Sequence, residues 1–332
     1  SGVDYDHKTG ETALYSIQNQ YGDGWEEVLD QENGNYDYLM LSDIDFRNPA
    51  VREELKAWGI WLHQTLGFDG FRLDAIKHMP ANFYNEWLDH LRGTLQKELF
   101  TVGEYWAPND LQSLLTYADL TEARMSLFDT CLQANFSQAS KMGNDYNLTQ
   151  IFEDTLVAAR PELAVTFVEN HDTQPLQSLE QIVEPWFRAH AYTLILLREA
   201  GYPCVFYTDL YGSTYTDKGT DGQDHQVTIG HLPQLETLLQ LRKHQAYGLQ
   251  RDYLDHANCI GWTREGNEDN SGLAVVLSNG EEGYKRMEMG GGYAGKKMID
   301  TLGNVQQEIV VEQDGWAEFT CEAGSVSVWV CA

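Results

Sequence analysis

Three apolar runs in this chain end in a carboxylate: Phe71-Arg72-Leu73-Asp74, Leu99-Phe100-Thr101-Val102-Gly103-Glu104 and Ala164-Val165-Thr166-Phe167-Val168-Glu169-Asn170-His171-Asp172. Arg72, two residues before Asp74, is placed to hold that acid ionised, and an ionised carboxylate on a rigid strand end can serve as a nucleophile. Glu104 lies between Val102-Gly103 and Tyr105-Trp106. Low local polarity raises a carboxyl pKa, the property a general acid/base needs. Asp172 has no role that chemistry alone assigns. If the three strands lie side by side the acids converge, and two carboxyl groups flanking a sugar bond can cleave it. Taken singly, an Arg/Asp pair at a strand end is usually a structural ion pair. Three strand-end acids at regular spacing make coincidence the weaker reading.

The elements between these runs set the architecture. Asn48-Pro49 opens a helix, with Val51, Leu55, Trp58, Leu62 and Leu66 at helical spacing on one face. Further helices are expected over 81–97, 109–120, 145–160, 184–200 and 231–245, with strands over 125–136 and 203–207. The run at Phe68, Phe71 and Leu73 reads as a buried strand. Asp74 to Glu104 spans 30 residues, Glu104 to Asp172 spans 68, or two units of 34, and Asp172 to Tyr207 spans 35. Apolar strands alternating with helices at this period, with acids at the strand ends, match a (β/α)8 TIM barrel, whose sites lie at the C-terminal face of the sheet. Five strands are expected here, ending near Asp74, Glu104, Phe136, Asp172 and Tyr207. From about residue 248 the pattern becomes short β-rich stretches separated by turn pairs such as Asn279-Gly280 and Asp314-Gly315. The expected class is therefore α/β, a barrel portion over 46–247 followed by an antiparallel β-sandwich domain over 248–332. Residues 1–45 are polar, aromatic and acidic.

Composition narrows the partners. The net charge is −29 and the pI is near 4.5, which argues against nucleic acid and anionic membrane. No apolar run approaches the ~20 residues of a membrane span. The chain starts at Ser1 without a signal-like segment, which leaves a cleaved leader open. Five cysteines (131, 204, 259, 321 and 331) show no Cys-x-x-Cys spacing and favour free thiols in a reducing compartment, with Cys321–Cys331 as an open alternative.

The runs 71–78, 102–106 and 167–172 resemble three motifs of the α-amylase family, glycoside hydrolase family 13. Residues 33–40, 170–179, 261–266 and 324–328 extend the likeness to the bacterial liquefying type over essentially the whole chain. The resemblance implies an endo-acting retaining hydrolase of α-1,4 bonds in starch, glycogen or malto-oligosaccharides. It implies Asp74 as nucleophile, Glu104 as general acid/base and Asp172 as transition-state stabiliser. Arg72 would orient the nucleophile, His171 would contact the sugar at the cleavage subsite, and Lys77, His78 and Trp106 would line the leaving-group side. Asp37, Asp43 and the His78 carbonyl would bind a structural calcium, and 1–45 would belong to the inserted calcium-binding excursion, domain B.

Two departures modify that picture. The family's Asp-x-x-x-Asn-His motif is absent, and the chain is expected to begin inside the excursion after the third strand, as part of a longer enzyme. Glu26, Arg47 and Ser1 stand where the secreted enzymes carry acids, so one calcium is expected rather than a cluster. Residues 45–48 and 207–212 are closer to the intracellular branch, which implies a cytoplasmic location, with secretion as the alternative, and a monomer once the N-terminal portion is present. A family transglycosylase and a catalytically incomplete starch-binding fragment remain the rival readings.

Overall fold

The computed structural model describes residues 2–6, 11–15, 46 and 48–332. The chain divides into two compact units, Ser1–Ala107 with Gln112–Phe128, and Pro108–Leu111 with Asp129–Ala332.

In the first unit β1 (Gly2–Asp6) pairs antiparallel with β2 (Glu11–Tyr15). Helix α1 (Pro49–Leu66) starts where Asn48 Oδ1 accepts the Ala50 N–H at 2.9 Å and Pro49 fills the first turn. It stops at Gly67, whose φ of 69° lets its N–H reach the His63 carbonyl. Then follow β3 (Gly70–Leu73), α2 (Ala81–Leu95), β4 (Phe100–Gly103), α3 (Leu111–Leu120) and β5 (Ser126–Phe128). Strands β3, β4 and β5 are parallel, Leu73 standing opposite Gly103 and Gly103 opposite Leu127. Helix α2 buries Phe83, Trp87, Leu88 and Leu91. Strand β3 is half-buried rather than buried, because it lies at the edge of its sheet with β4 on one side.

The second unit opens with α4 (Thr130–Met142) and α5 (Leu156–Ala159), then β6 (Ala164–Phe167), α6 (Pro185–Leu197) and β7 (Tyr202–Cys204), with β6 and β7 parallel. Strand β6 is buried throughout and α6 nearly so. After α7 (Tyr207–Tyr211), the hairpin β8 (Ser213–Lys218) and β9 (Asp224–Ile229) leads to α8 (Leu235–His244). Five parallel strands interleaved with helices give the α/β class of a partial (β/α) barrel.

Three expected elements differ. The run 125–136 is a strand only as far as Phe128. Asp129 ends it, because its buried carboxylate accepts the N–H groups of Leu132 at 3.0 Å, Leu156 at 3.2 Å and Val157 at 2.7 Å, capping α4 and the start of α5. The expected helix over 145–160 is two 3-10 turns, 143–145 and 148–150, before α5. Here the backbone is engaged elsewhere: Asn279 Nδ2 donates to the carbonyls of Gly143 and Tyr146, Asn258 Nδ2 to that of Asn144, and the Leu148 N–H to that of Ala257. Tyr207, expected to end a strand, begins α7.

The remaining strands are β10 (Gln250–Tyr253), β11 (Cys259–Gly266), β12 (Ser271–Ser278), β13 (Gly283–Glu288), β14 (Lys297–Asp300), β15 (Ile309–Val310), β16 (Trp316–Cys321) and β17 (Val326–Cys331). A six-stranded antiparallel sheet in the order β10-β11-β12-β17-β14-β15 faces the β13–β16 pair. Ala274, Val276, Met287, Met298, Phe319 and Trp329 fill the core between them.

Candidate active site

Strand β3 delivers Arg72 and Asp74, and β4 delivers Glu104. The register places Leu73 beside Gly103, and the Glu104 N–H donates to the Leu73 carbonyl at 2.8 Å. The two acids therefore leave neighbouring strands at the same level. Their environments differ. The Asp74 side chain is 70% exposed, whereas that of Glu104 is 7% exposed. Arg72 joins them: Nη1 pairs with Asp74 Oδ1, and Nη2 lies 3.1 Å from Glu104 Oε2. The Ala75 N–H also donates to Glu104 Oε2, at 3.4 Å. Ala75 holds φ 47° and ψ 41°, a left-handed conformation that costs an L side chain about 1 kcal/mol. That turn starts the 3-10 segment carrying Lys77 and His78. Lys77 Nζ donates to the Trp106 carbonyl at 3.3 Å. Arg72 and Asp74 border a cavity of about 270 Å³ with aromatic walls that include Trp58, Phe83 and Tyr84. Burial and the nearby Asp74 charge push the Tyr84 phenol upward.

In the second unit, β6 leads into a closed turn. Asn170 Oδ1 accepts the N–H groups of Asp172 at 2.9 Å and Thr173 at 2.8 Å, while Thr173 Oγ1 accepts that of Asn170 at 2.9 Å. This fixes the backbone between His171 and Asp172. His171 Nε2 stands 3.3 Å from Asp172 Oδ2, with the imidazole 60% exposed and the carboxylate 29% exposed.

Among the sequence-predicted residues, the first unit thus brings together Arg72, Asp74, Glu104, Lys77 and Trp106, and the second joins His171 to Asp172. Asp37 and Asp43 lie outside the described residues. His78 closes the 3-10 turn at 76–78, where a terminal carbonyl is a hard oxygen donor of the type calcium accepts. Among the described residues no group of three or more His, Cys, Asp or Glu side chains is placed to hold a metal ion.

Two family models match the sequence: the alpha-amylase catalytic domain over residues 6–243 and the alpha-amylase C-terminal domain over 273–330. The chain belongs to the alpha-amylase family. It is 49% identical over 331 residues to the cytoplasmic alpha-amylase of Escherichia coli (strain K12), covering 99% of this chain and 67% of that protein. It is 45% identical over 331 residues to the alpha-amylase of Bacillus licheniformis, covering 99% of this chain and 62% of that protein. The chain thus spans about two thirds of the length of these curated relatives. The fold matches the crystal structure of the Geobacillus thermoleovorans alpha-amylase, a complex with acarbose, with a TM-score of 0.68 at 19% identity over 93% of this chain and 71% of that one.

This family member also carries a buried charge network that the sequence reading did not single out. Directly before the Asn170 turn, Glu169 Oε1 accepts the Val183 N–H at 2.7 Å and Arg188 Nη2 at 3.3 Å. Arg188 Nη1 donates to Asp209 Oδ1 at 3.0 Å, and the Tyr192 hydroxyl donates to Asp209 Oδ2 at 2.6 Å. Burial pushes Glu169 up to about 7, against the pull of Arg188. Burial likewise raises Asp209, opposed by its bonds to Tyr192 and Arg188. The signal was present: Glu169 sits inside an apolar run and Arg188 inside an apolar helix, and charges in such places must be paired. Gln133 ties the same region together, its Nε2 donating to the Gln181 carbonyl at 2.6 Å and the Val168 carbonyl at 3.4 Å.

Proposed function

We propose that this chain carries the cleavage machinery of an endo-acting α-amylase, hydrolysing internal α-1,4-glucosidic bonds of starch or glycogen with retention. The observation that carries this reading is the Arg72 guanidinium, which contacts one exposed and one buried carboxylate on adjacent parallel strand ends. Two carboxyl groups in unlike surroundings are what a retaining glycosidase divides between attack and proton transfer.

In this mechanism Asp74, oriented by Arg72, attacks the anomeric carbon and forms a glycosyl ester. Glu104 gives its proton to the departing glycosidic oxygen. Glu104 then takes a proton from water as that water attacks the anomeric carbon and releases Asp74. Two inversions leave the α configuration. Asp172 stabilises the positive charge that develops on the sugar, and His171 hydrogen-bonds the sugar in the cleaved subsite. Lys77, His78 and Trp106 form the leaving-group side. Asp37, Asp43 and the His78 carbonyl are assigned to one calcium ion, which when bound supplies cross-linking of the loops. Residues 1–45 are read as part of the inserted domain B, 46–247 as barrel and 248–332 as the C-terminal β domain. The name of the Escherichia coli relative, a cytoplasmic alpha-amylase, supports a cytoplasmic location; the enzyme is read as a monomer acting on starch, glycogen or malto-oligosaccharides.

Proton NMR of the first reducing end released from starch should show the α anomer; β-anomer release would sink the retaining assignment. Asp74→Asn should lower kcat by roughly 10⁴-fold or more while the circular dichroism spectrum stays unchanged. Products longer than the starting oligosaccharide would replace hydrolysis with glucosyl transfer. A strong chelator should lower Tm if calcium binds the folded state alone, and an unchanged Tm would remove the ion from the proposal.

A further inference from the structure

Cys259 is the first residue of β11 and Cys321 the last of β16, and both are buried in the core between the two C-terminal sheets. Gly283 stands opposite Cys321 in the β13–β16 register. A Cβ at Gly283 would lie 2.5 Å from Cys259 Sγ and 3.6 Å from Cys321 Sγ. The Cys259 sulfur therefore fills the space that a Gly283 side chain would take, and the Cys321 sulfur borders the same position. The Cys259 thiol donates to the Tyr284 carbonyl at 3.8 Å, one residue along β13 from Gly283. Lys285, two residues along β13 and on the same inward face, pairs its Nζ with Asp255. Cys331, by contrast, has its Sγ 3.7 Å from Met298 Sδ, so the structure sets Cys321 against Cys259 rather than against Cys331.

We propose that Cys259 and Cys321 form an oxidative modification site, a dithiol that a peroxide converts to a disulfide between β11 and β16. The pair is asymmetric in the way such chemistry needs. The neighbouring Cys321 thiol and the Lys285 charge draw the Cys259 thiol below its ordinary range against the effect of burial, while Cys259 and burial push Cys321 up. Cys259 is thus the more acidic thiol of the two and the attacker once deprotonated, since thiolates are the reactive form. Its sulfur attacks one peroxide oxygen: the S–O bond forms, the O–O bond breaks, and hydroxide leaves and takes up a proton. The sulfur is oxidised to a sulfenic acid and the peroxide is reduced to water. Cys321 sulfur then attacks the Cys259 sulfur. The S–S bond forms, the S–O bond breaks, and the departing hydroxide takes the Cys321 proton as a second water.

The test is peptide mapping of the wild-type chain after hydrogen peroxide treatment and iodoacetamide blocking. The expected result is a linked peptide pair containing Cys259 and Cys321, two hydrogens lighter than the separate peptides and released by dithiothreitol. Cys259→Ser and Cys321→Ser should each abolish it. Alkylation of both residues after peroxide has oxidised the exposed Cys204, or a link between any other two cysteines, would overturn the proposal. The wild-type map decides the question even if a serine variant does not fold.

Discussion

Glu169 shows how a residue without a place in the cleavage chemistry can still give the protein a pH dependence. Its folded pKa of about 7 lies above the ordinary carboxylate value. The folded state therefore holds a proton that the unfolded state releases, and stability falls as pH rises from about 4.5 to 7. By linkage the loss across that window is on the order of 3 kcal/mol. His190 acts in the opposite sense. Burial in α6 pushes it down to about 4, against the pull of its Nε2–H bond to the Ser278 carbonyl at 2.9 Å. Its contribution is present above pH 6.5 and is lost as pH falls toward 4. The two slopes partly cancel in the wild type, so Glu169→Gln should reveal the His190 slope: the variant's urea midpoint should rise with pH between 4.5 and 7 more steeply than the wild type's. Parallel curves for the two proteins would contradict the Glu169 assignment. At this scale the sequence marked the charges that directly follow a strand, Asp74 after β3 and Glu104 after β4, whereas Asp172 lies five residues beyond the end of β6. The sequence was mute about pairing: nothing local says that Arg188 turns toward Glu169 and Asp209.

The strands and helices were legible where periodicity was long and boundaries carried their own chemistry. Helix α1 is announced by Asn48-Pro49 and closed by Gly67. The third β/α unit was misjudged because Asp129 looks, in sequence, like one polar position in a strand, whereas three N–H groups converge on it as a cap. The same unit's irregular 143–150 turns depend on Asn258 and Asn279, more than a hundred residues away, which no local window contains. Close packing between elements also sets what the site tolerates. A Cβ on Gly103 would meet Ile76 Cδ1 at 2.5 Å and Met125 Sδ at 2.9 Å. Gly103→Ala should therefore cost about 1–3 kcal/mol. Because Gly103 precedes Glu104, kcat should fall with KM less affected. A Gly103→Ala variant with wild-type stability by urea titration would show that this packing yields without strain.

Within the larger unit, the C-terminal sheets and the helical region are stitched by side-chain amides. Asn279 is 5% exposed and serves two carbonyls and Asn258 at once. Asn279→Ala leaves those carbonyls buried without their donor and should cost about 2–4 kcal/mol. In calorimetry it should split one unfolding transition toward two, with the C-terminal sheets melting apart from the helices; a single transition at an unchanged Tm would deny the stitching role. No sequence pattern marks this junction, since Asn279-Gly280 reads simply as a turn. The left-handed Ala75 carries a different kind of consequence for the molecule. A glycine there would relieve the backbone, gaining up to about 1 kcal/mol, while loosening the N–H that steadies the Glu104 carboxylate. Laboratory evolution scored on heat survival alone would then favour Ala75→Gly. Its winners would outlast the parent and digest more slowly, so breeding such a catalyst needs both traits counted in the same round.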